Sequence, residues 1–322
     1  MRIVFMGTGE IALPTLRWLL DHTSREGDEL VAVYTQPDKP VGRSQTLTAP
    51  EVKLLSLAQG VPVYQPERLR GNREALDEFA ALAPDLIVVM AYGQLLPRAL
   101  LSSPRIACVN LHASLLPRHR GAAPIQAAIR DGDGESGLTL MHVTERLDSG
   151  DMILKRSVPL ASDETGGALH DRLAELGPGL LAEGLELFRS GRATREAQAE
   201  ESATHTGKLG REDGEIDWSL PRDVLERLVR AYDPWPGTTT HCEVGGERRR
   251  LKILPPVLPV ALGSGSEIPG TVLESGPRLV VRCGDGALDL RGDLQLEGRR
   301  RLPVAEFLRG SPLPVGAILG TP

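Results

Sequence analysis

Short apolar runs alternate with longer stretches of helical periodicity through the first two hundred residues of the chain. Strand candidates are RIVFMG, ELVAVYTQ, VPVYQ, DLIVVMAYG, RIACVNLH and SGLTLMHV. Helical windows lie between several of them, for example ALPTLRWLLDH, APEVKLLSLAQG and GNREALDEFAALA. This alternation predicts βαβ units and an open, mostly parallel α/β sheet of the Rossmann-like class. The run DLIVVM is apolar on both faces, as expected for a central strand covered by helices.

The pattern changes after a helical stretch near GALHDRLAELGPGLLAEGLELFRSG. Periodicity weakens through RATREAQAEESATHTGK, and beyond it one helix, PRDVLERLVRAY, precedes short β-like runs separated by Gly and Pro. That punctuation predicts a small, OB-like β-barrel or a sandwich. Because 322 residues suit two compact units, we expect a catalytic domain over 1–190, a linker over 191–206 and a small β domain over 207–322.

Composition narrows the class of protein. A hydrophobic fraction of 41% with 25% charged residues is typical of a globular protein, and no run approaches the ~18 apolar residues of a membrane span. The first apolar segment is shorter than that of a signal peptide, and the widely spaced cysteines indicate neither disulfides nor a metal knuckle. With a net charge of −6, composition alone does not support a nucleic-acid partner. We expect a cytoplasmic monomer without a membrane partner.

A glycine-rich turn follows the first strand. Gly7, Gly9 and Ala12 have the spacing and context of a dinucleotide-binding fingerprint. That fingerprint also expects an acidic residue at the end of the second strand, but Asp38 is displaced there behind Pro37. We therefore interpret the glycines as a tight strand-to-helix turn. An NAD-dependent oxidoreductase is the alternative, and it lacks its acidic residue.

Two polar side chains end the apolar run that leads into VNLHASLLPRHRGAAP. Asn110 and His112 point to the same face of a strand, at the carboxyl end where open α/β sheets bind ligands. Asp148 and Asp151 lie in a loop after the strand candidate SGLTLMHV. If that strand is a parallel neighbour of the 106–111 strand, a carboxylate can reach the imidazole. Structural roles stay open, since a strand-end Asn, a single His and an Asp-Ser-Gly turn are also common without catalysis.

An Asn, a His and an Asp at one cleft suit transfer of an acyl group to an amine. The amide can donate to the oxyanion, the His can move protons between the attacking amine and the leaving nitrogen, and the Asp can orient the His and stabilise its cation. No G-x-S-x-G elbow places a nucleophile beside the His, and no i,i+4 His pair or Cys cluster suggests a metal. Direct transfer through a tetrahedral intermediate is therefore the simpler hypothesis.

The motif NLHASLLPRHRGAAPIQ, followed by LDSGDM, resembles the signature of the 10-formyltetrahydrofolate-dependent formyltransferases. Further similarity runs through TQPDKPVGR, VVMAYGQLLP, AELGPGLL, EIDWS and AYDPWPG, so the resemblance covers both predicted domains. It implies Asn110, His112 and Asp148 as the catalytic residues. It also implies a set of residues that line the folate pocket, namely Ser114, Leu115, Leu116, Pro117, Met90, Tyr92 and Gly93.

Within this family the chain is most similar to the members that formylate the methionine of initiator methionyl-tRNA. The resemblance implies 10-formyltetrahydrofolate as the formyl donor, no metal, and the charged tRNA as partner. It also implies tRNA contacts from the barrel and from the loop after the second strand, where Lys39 and Arg43 are the main cations. In the barrel, ERRRLK and GRRRLP concentrate arginines, and if these lie on one face, Arg248, Arg249 and Arg299 can follow a phosphate backbone. A solvated surface balanced by nearby acids is the alternative. His119 stands where the family loop has a Trp. Other acceptor amines, on glycinamide ribonucleotide or a sugar nucleotide, remain the alternatives.

Overall fold

The computed structural model describes residues 1–42, 44–262 and 265–320. The chain divides into two compact units. Unit 1 comprises residues 1–124, 135–158 and 170–206, and unit 2 comprises residues 125–134, 159–169 and the described part of 207–322. The segment 191–206, which the sequence predicts as a linker, therefore clusters with unit 1.

The helices and strands follow the predicted order. The helices are α1 (Leu13–Glu26), α2 (Glu51–Ala58), α3 (Arg73–Ala81), α4 (Arg98–Leu101), α5 (Pro124–Arg130), α6 (Gly166–Arg189), α7 (Arg222–Ala231) and α8 (Val304–Gly310). The strands that precede unit 2's sheets are β1 (Arg2–Gly7), β2 (Glu29–Tyr34), β3 (Lys39–Val41), β4 (Thr46–Thr48), β5 (Val63–Tyr64), β6 (Leu86–Met90), β7 (Ala107–His112), β8 (Arg120–Gly121), β9 (Glu135–His142), β10 (Met152–Pro159) and β11 (His205–Thr206). Among the described helices, none has the length and apolar content that a membrane span requires.

Unit 1 is built on a seven-stranded sheet in the order β10-β9-β7-β6-β1-β2-β5. The strands β7, β6, β1, β2 and β5 are parallel, which confirms the predicted open α/β sheet. Their carboxyl ends meet at one edge, and β7 carries Asn110 and His112 to that edge. The fold thus brings the ends of β6 and β7 together.

The pairing of β9 corrects one prediction. This strand is antiparallel to β7, with His112 opposite Thr139 and Asn110 opposite Met141, so the expected parallel neighbour of the 106–111 strand is wrong. A parallel pair needs a crossover that returns the chain to the opposite edge of the sheet. Residues 125–134, with α5, cluster with unit 2 instead, and β9 re-enters the sheet from the edge at which β7 ended.

The face of the sheet that carries Asn110 is continuous with a buried apolar cluster. Cys108, two residues before Asn110, belongs to this cluster and shares the face of Asn110 because side chains alternate along a strand. Other members from the neighbouring strands are Val4, Met6, Ile87 and Val89. Asn110 and His112 therefore continue a row of core positions where the strand leaves the core.

The turn between β1 and α1 is tight because a backbone segment lies against it. A Cβ on Gly7 would lie 2.9 Å from the carbonyl oxygen of Met90. The amides of Thr8 and Gly9 donate to the carbonyl of Ala91, at 3.2 and 3.4 Å. These are amides that a dinucleotide phosphate would need, so the turn supports the structural interpretation of the glycines.

Unit 2 contains small antiparallel sheets. The strands are β12 (Thr238–Val244), β13 (Glu247–Ile253), β14 (Val257–Val260), β15 (Val272–Ser275), β16 (Leu279–Cys283), β17 (Gly286–Leu290), β18 (Asp293–Leu296) and β19 (Leu302–Pro303). In the described residues they form two four-stranded sheets, ordered β12-β13-β18-β19 and β14-β17-β16-β15. This agrees with the predicted small β domain.

Candidate active site

The last residues of β7 place an amide and an imidazole on one face. His112 is buried, and Asn110 is half-buried. The side-chain amide of Asn110 has no hydrogen bond to another residue of the described chain. The Asn110 side chain is therefore available to a ligand.

The His112 ring is hydrogen-bonded at Nε2 and faces a carboxylate at Nδ1. Nε2 lies 2.9 Å from the carbonyl oxygen of His119, and a carbonyl can only accept a hydrogen bond. Nε2 is therefore the nitrogen that carries the proton in the neutral ring. Nδ1 keeps its lone pair and lies 3.7 Å from Oδ2 of Asp148.

Asp148 reaches the imidazole because its loop folds back toward the end of β7. The amide of Gly121 donates to Oδ2 of Asp148 at 2.8 Å, and Asp148 has a left-handed backbone, with φ of 48°. Such a conformation is uncommon for a residue with a side chain and marks a constrained turn. Asp151 of the same loop instead lies 3.5 Å from Arg195. Of the two candidate acids, Asp148 is the one that faces His112.

The neighbouring cysteine does not offer a nucleophile. Burial raises the pKa of the Cys108 thiol to about 12, so the reactive thiolate is scarce at neutral pH. Cys108 also belongs to the apolar core. The site therefore suits acyl transfer without a covalent cysteine intermediate.

The loop after β7, residues 113–119, is tied to β9. The hydroxyl of Thr139 donates to the carbonyl of Ser114 at 2.7 Å and accepts from the amide of Leu116 at 3.1 Å. The Ser114 hydroxyl donates to the carbonyl of Arg118 at 2.6 Å. Leu116 is buried, whereas Leu115 and Pro117 are half-buried, so those two keep apolar surface that a ligand can contact.

The end of β6 contributes backbone more than side chains. Met90 and Tyr92 are buried, and the Tyr92 ring lies in the apolar core of unit 1, where burial raises the pKa of its hydroxyl. The Tyr92 carbonyl accepts from Thr8 and Gln36 at 3.2 and 3.1 Å. Gly93 has a φ of 86°, and a Cβ there would have no neighbour closer than 3.9 Å. A side chain at Gly93 would therefore be in van der Waals contact with Gln36, and the left-handed backbone there favours glycine.

His119 contributes its backbone to the site. It is buried and left-handed, with φ of 57°, and its amide donates to the hydroxyl of Thr204 at 2.8 Å. In this conformation the carbonyl of His119 accepts a hydrogen bond from Nε2 of His112. His119 thus orients His112 through its main chain.

The cations implied for tRNA contacts are spread over both units. Lys39 is exposed in unit 1, and Arg43 lies outside the described residues. In unit 2, Arg248 and Arg299 are exposed, whereas Arg249 forms an ion pair with Glu247 and holds the pKa of that carboxyl below its usual value. Arg248 and Arg299 have more exposed surface to offer a phosphate.

The residues that hold the loop 113–119 and Asp148 in place could not be predicted from the sequence. Thr139, Gly121 and Thr204 contact the loop 113–119 or Asp148 from distant parts of the chain. No local motif marks them, because their partners are 23 to 85 residues away. In the described part of the chain, no cluster of His, Cys, Asp and Glu could hold a metal ion.

Comparison with known proteins gives matches along the chain. A family model described as formyl transferase matches residues 1–185, and one described as formyl transferase, C-terminal domain, matches residues 208–312. A methionyl-tRNA formyltransferase of Akkermansia muciniphila is 48% identical over 97% of both chains. One from Pseudomonas entomophila is 47% identical over 99% of this chain and 100% of its own.

Solved structures show the same fold at lower identity. HypX from Aquifex aeolicus in complex with tetrahydrofolic acid is 21% identical, with a TM-score of 0.60 over 96% of this chain and 47% of its own. WlaRD, a sugar 3N-formyl transferase, is 16% identical, with a TM-score of 0.64 over 93% of this chain and 99% of its own. At these identities the likeness concerns the fold.

Proposed function

The chain belongs to the formyl transferase family, and from that premise we propose that it transfers a formyl group from 10-formyltetrahydrofolate to the α-amine of methionine on initiator methionyl-tRNA. Support comes from full-length relatives that carry the name methionyl-tRNA formyltransferase. The observation that carries the proposal at the site is the proximity of His112 and Asp148, 3.7 Å apart, at a strand end where the side-chain amide of Asn110 bonds to no other described residue.

Asn110 is the proposed oxyanion donor. As the amine attacks, the formyl oxygen gains negative charge, and a preorganised N–H group stabilises that charge more than it stabilises the neutral carbonyl. The Asn110 amide makes no hydrogen bond to another described residue. The side-chain amide can therefore donate to the formyl oxygen without first breaking a hydrogen bond to a described residue.

His112 is the proposed proton carrier. Because Nε2 donates to the His119 carbonyl, the proton of the attacking amine goes to Nδ1. The imidazolium that results faces the Asp148 carboxylate at 3.7 Å, which lowers the energy of the charged ring. The imidazolium then gives a proton to the folate nitrogen as its bond to the formyl carbon breaks, so that tetrahydrofolate leaves as the neutral amine. Asp148 thus stabilises the cation, and the backbone of His119 fixes the tautomer.

The formyl donor is proposed to bind where the carboxyl ends of β6 and β7 meet. The bound folate supplies the formyl group on a nitrogen that can leave. Half-buried Leu115 and Pro117 offer apolar surface to a flat heterocycle, and Gly93 adds no side chain of its own at the neighbouring strand end. We assign Ser114, Leu116, Met90 and Tyr92 to the same pocket, largely through backbone and buried apolar surface.

The tRNA is proposed to contact exposed cations, since phosphate contacts supply most of the sequence-independent affinity for nucleic acids. The residues are Lys39, Arg43, Arg248, Arg249 and Arg299. We further propose functional domains over 1–190 and 207–322, connected by residues 191–206, which cluster with unit 1, and a monomer acting in the cytoplasm. Gel filtration checks the monomer: elution at the mass of a dimer would contradict it.

A comparison of acceptors tests the proposed function. Purified protein is incubated with 10-formyltetrahydrofolate and, separately, with initiator methionyl-tRNA, glycinamide ribonucleotide or an amino-sugar nucleotide, and formylated product is quantified. We expect formylmethionine on the tRNA, and kcat/KM for the other amines at least about 100-fold lower, which corresponds to about 2.7 kcal/mol of transition-state discrimination. Formylation of a sugar amine or the ribonucleotide with none on the tRNA would overturn the proposal.

A further inference from the structure

A segment outside both family matches contacts the candidate catalytic loop. The matches end at residue 185 and resume at residue 208, and residues 196–206, here called the strap, lie between them. The strap pairs with unit 1 at two places, through the bridge between Met152 and Glu196 and through the parallel pairing of β11 with β8. It is therefore integral to unit 1.

Gln198 of the strap binds the Asp148 loop through both of its side-chain amide hydrogens, one to Asp148 and one to Gly150. Nε2 donates to the carbonyl of Asp148 at 2.9 Å and to the carbonyl of Gly150 at 2.8 Å. Its Oε1 accepts from Nε of Arg120 at 2.9 Å. Because a guanidinium only donates and a carbonyl only accepts, the three hydrogen bonds of Gln198 form in one orientation of its amide.

Arg120, which donates to Gln198, is itself held in place by burial and by an ion pair. Its side chain is 2% exposed and forms an ion pair with Glu200 at 2.8 Å, and that bond is the largest cause holding the pKa of Glu200 below its usual value. The next residue, Gly121, donates its amide to the carboxylate of Asp148. Residues 120 and 121 therefore hold Asp148 in two ways. Gly121 binds the Asp148 carboxylate directly, and Arg120 binds Gln198, which in turn binds the Asp148 carbonyl.

The turn at Asp148 is one that needs such support. Asp148 has a positive φ, and a Cβ on Gly150 would overlap the carbonyl of His142, so the loop follows a narrow path. Without the two bonds from Gln198, the turn can relax toward the ordinary negative φ and carry the carboxylate away from His112. We propose that Gln198 is a positioning residue of the reaction, which holds Asp148 against His112. This inference rests on the proposed function.

A double-mutant cycle tests the inference. Gln198→Met keeps the size of the side chain and removes its hydrogen bonds. We expect kcat to fall about tenfold, with KM for the folate and for the tRNA changed less than twofold, as for a group that acts in the transition state. In an Asp148→Asn background, the same change should have no further effect, because residues that act through one another are not additive. A full tenfold loss in that background would overturn the inference.

Two further variants separate positioning from general damage. Gln198→Glu keeps an acceptor for Arg120 but loses both donors, so it should match Gln198→Met in kcat even if the Met variant folds poorly. Asn72→Ala removes the N-cap bond of α3, away from the site, and should lower the melting temperature without changing kcat. Wild-type kcat in Gln198→Glu, or a tenfold loss in Asn72→Ala, would count against the role of Gln198.

A crystal structure of the more stable Gln198 variant provides a readout independent of activity. We expect Asp148 at a negative φ, with its carboxylate displaced from His112. Unchanged placement of Asp148 would overturn the inference even if the wild-type protein formylated no acceptor. Absence of all formyl transfer by the wild type, with a displaced Asp148 in the variant, would instead overturn the proposed function and leave the positioning by Gln198 standing.

Discussion

Replacing Asp148 by asparagine removes the negative charge beside His112 while keeping the size of the side chain. The amide oxygen of the new residue can still accept from Gly121, so the loop keeps its anchor. At 3.7 Å and an effective dielectric constant of about 20, the lost attraction for the imidazolium is about 4 kcal/mol. We therefore expect a decrease in kcat of up to about three orders of magnitude, because the charged ring forms only as the amine loses its proton.

The assay is single-turnover formylation of methionyl-tRNA, followed by quenching and quantification of formylmethionine. KM for both substrates should change little, since the charge acts on the transition state. Asp151→Asn is the matched control, because this acid of the same loop faces Arg195 instead; it should keep kcat within about twofold. A decrease of less than threefold in Asp148→Asn, or equal decreases in both variants, would refute the assigned role of Asp148.

Three other changes are predicted from the structure. Gly121→Ala should lower the free energy of unfolding by more than about 2 kcal/mol, since its Cβ would lie 2.1 Å from the Thr206 carbonyl. The control is Gly134→Ala, whose Cβ would meet no atom within 4 Å and which should leave that free energy unchanged. Equal effects of the two substitutions in urea unfolding would contradict this prediction. Burial is the largest cause that lowers the pKa of His142. The unfolded state therefore binds more protons, and the free energy of unfolding should fall as pH drops below about 6.5. The His142→Gln variant should lose less stability between pH 7 and 5 than the wild type, and an unchanged pH dependence would contradict this prediction. Arg248→Ala should reduce the slope of log affinity for tRNA against log salt by about 0.9 if it neutralises one phosphate, and an unaltered slope would exclude that contact.

The local part of the site could be predicted from the sequence. Alternation along a strand placed Asn110 and His112 on one face, and the position of β7 in a parallel sheet brought both to a ligand-binding edge. The missing acid after the second strand argued against a dinucleotide, and the Ala91 carbonyl that occupies the turn amides supports that interpretation. These inferences succeeded because each depends on a few neighbouring residues.

The remaining part depends on contacts between distant segments. The direction of β9 could not be predicted, because residues 125–134 have a helical pattern but cluster with unit 2. Asp148 approaches His112 through a loop that folds back, and Gly121 and Gln198 hold it from 27 and 50 residues away. The strap has weak periodicity and polar composition, so its sequence suggests a linker although its side chains bond to unit 1.

The central claim is that His112 carries a proton during transfer of a formyl group to the methionine amine. Its most direct test is the single-turnover rate of formylmethionyl-tRNA formation from 10-formyltetrahydrofolate in the wild-type protein and in His112→Ala. We expect product with the wild type and a rate at least about 100-fold lower in the variant, as for loss of a general acid–base group. No formylmethionine with the wild type, or a nearly unchanged rate in the variant, would contradict the claim.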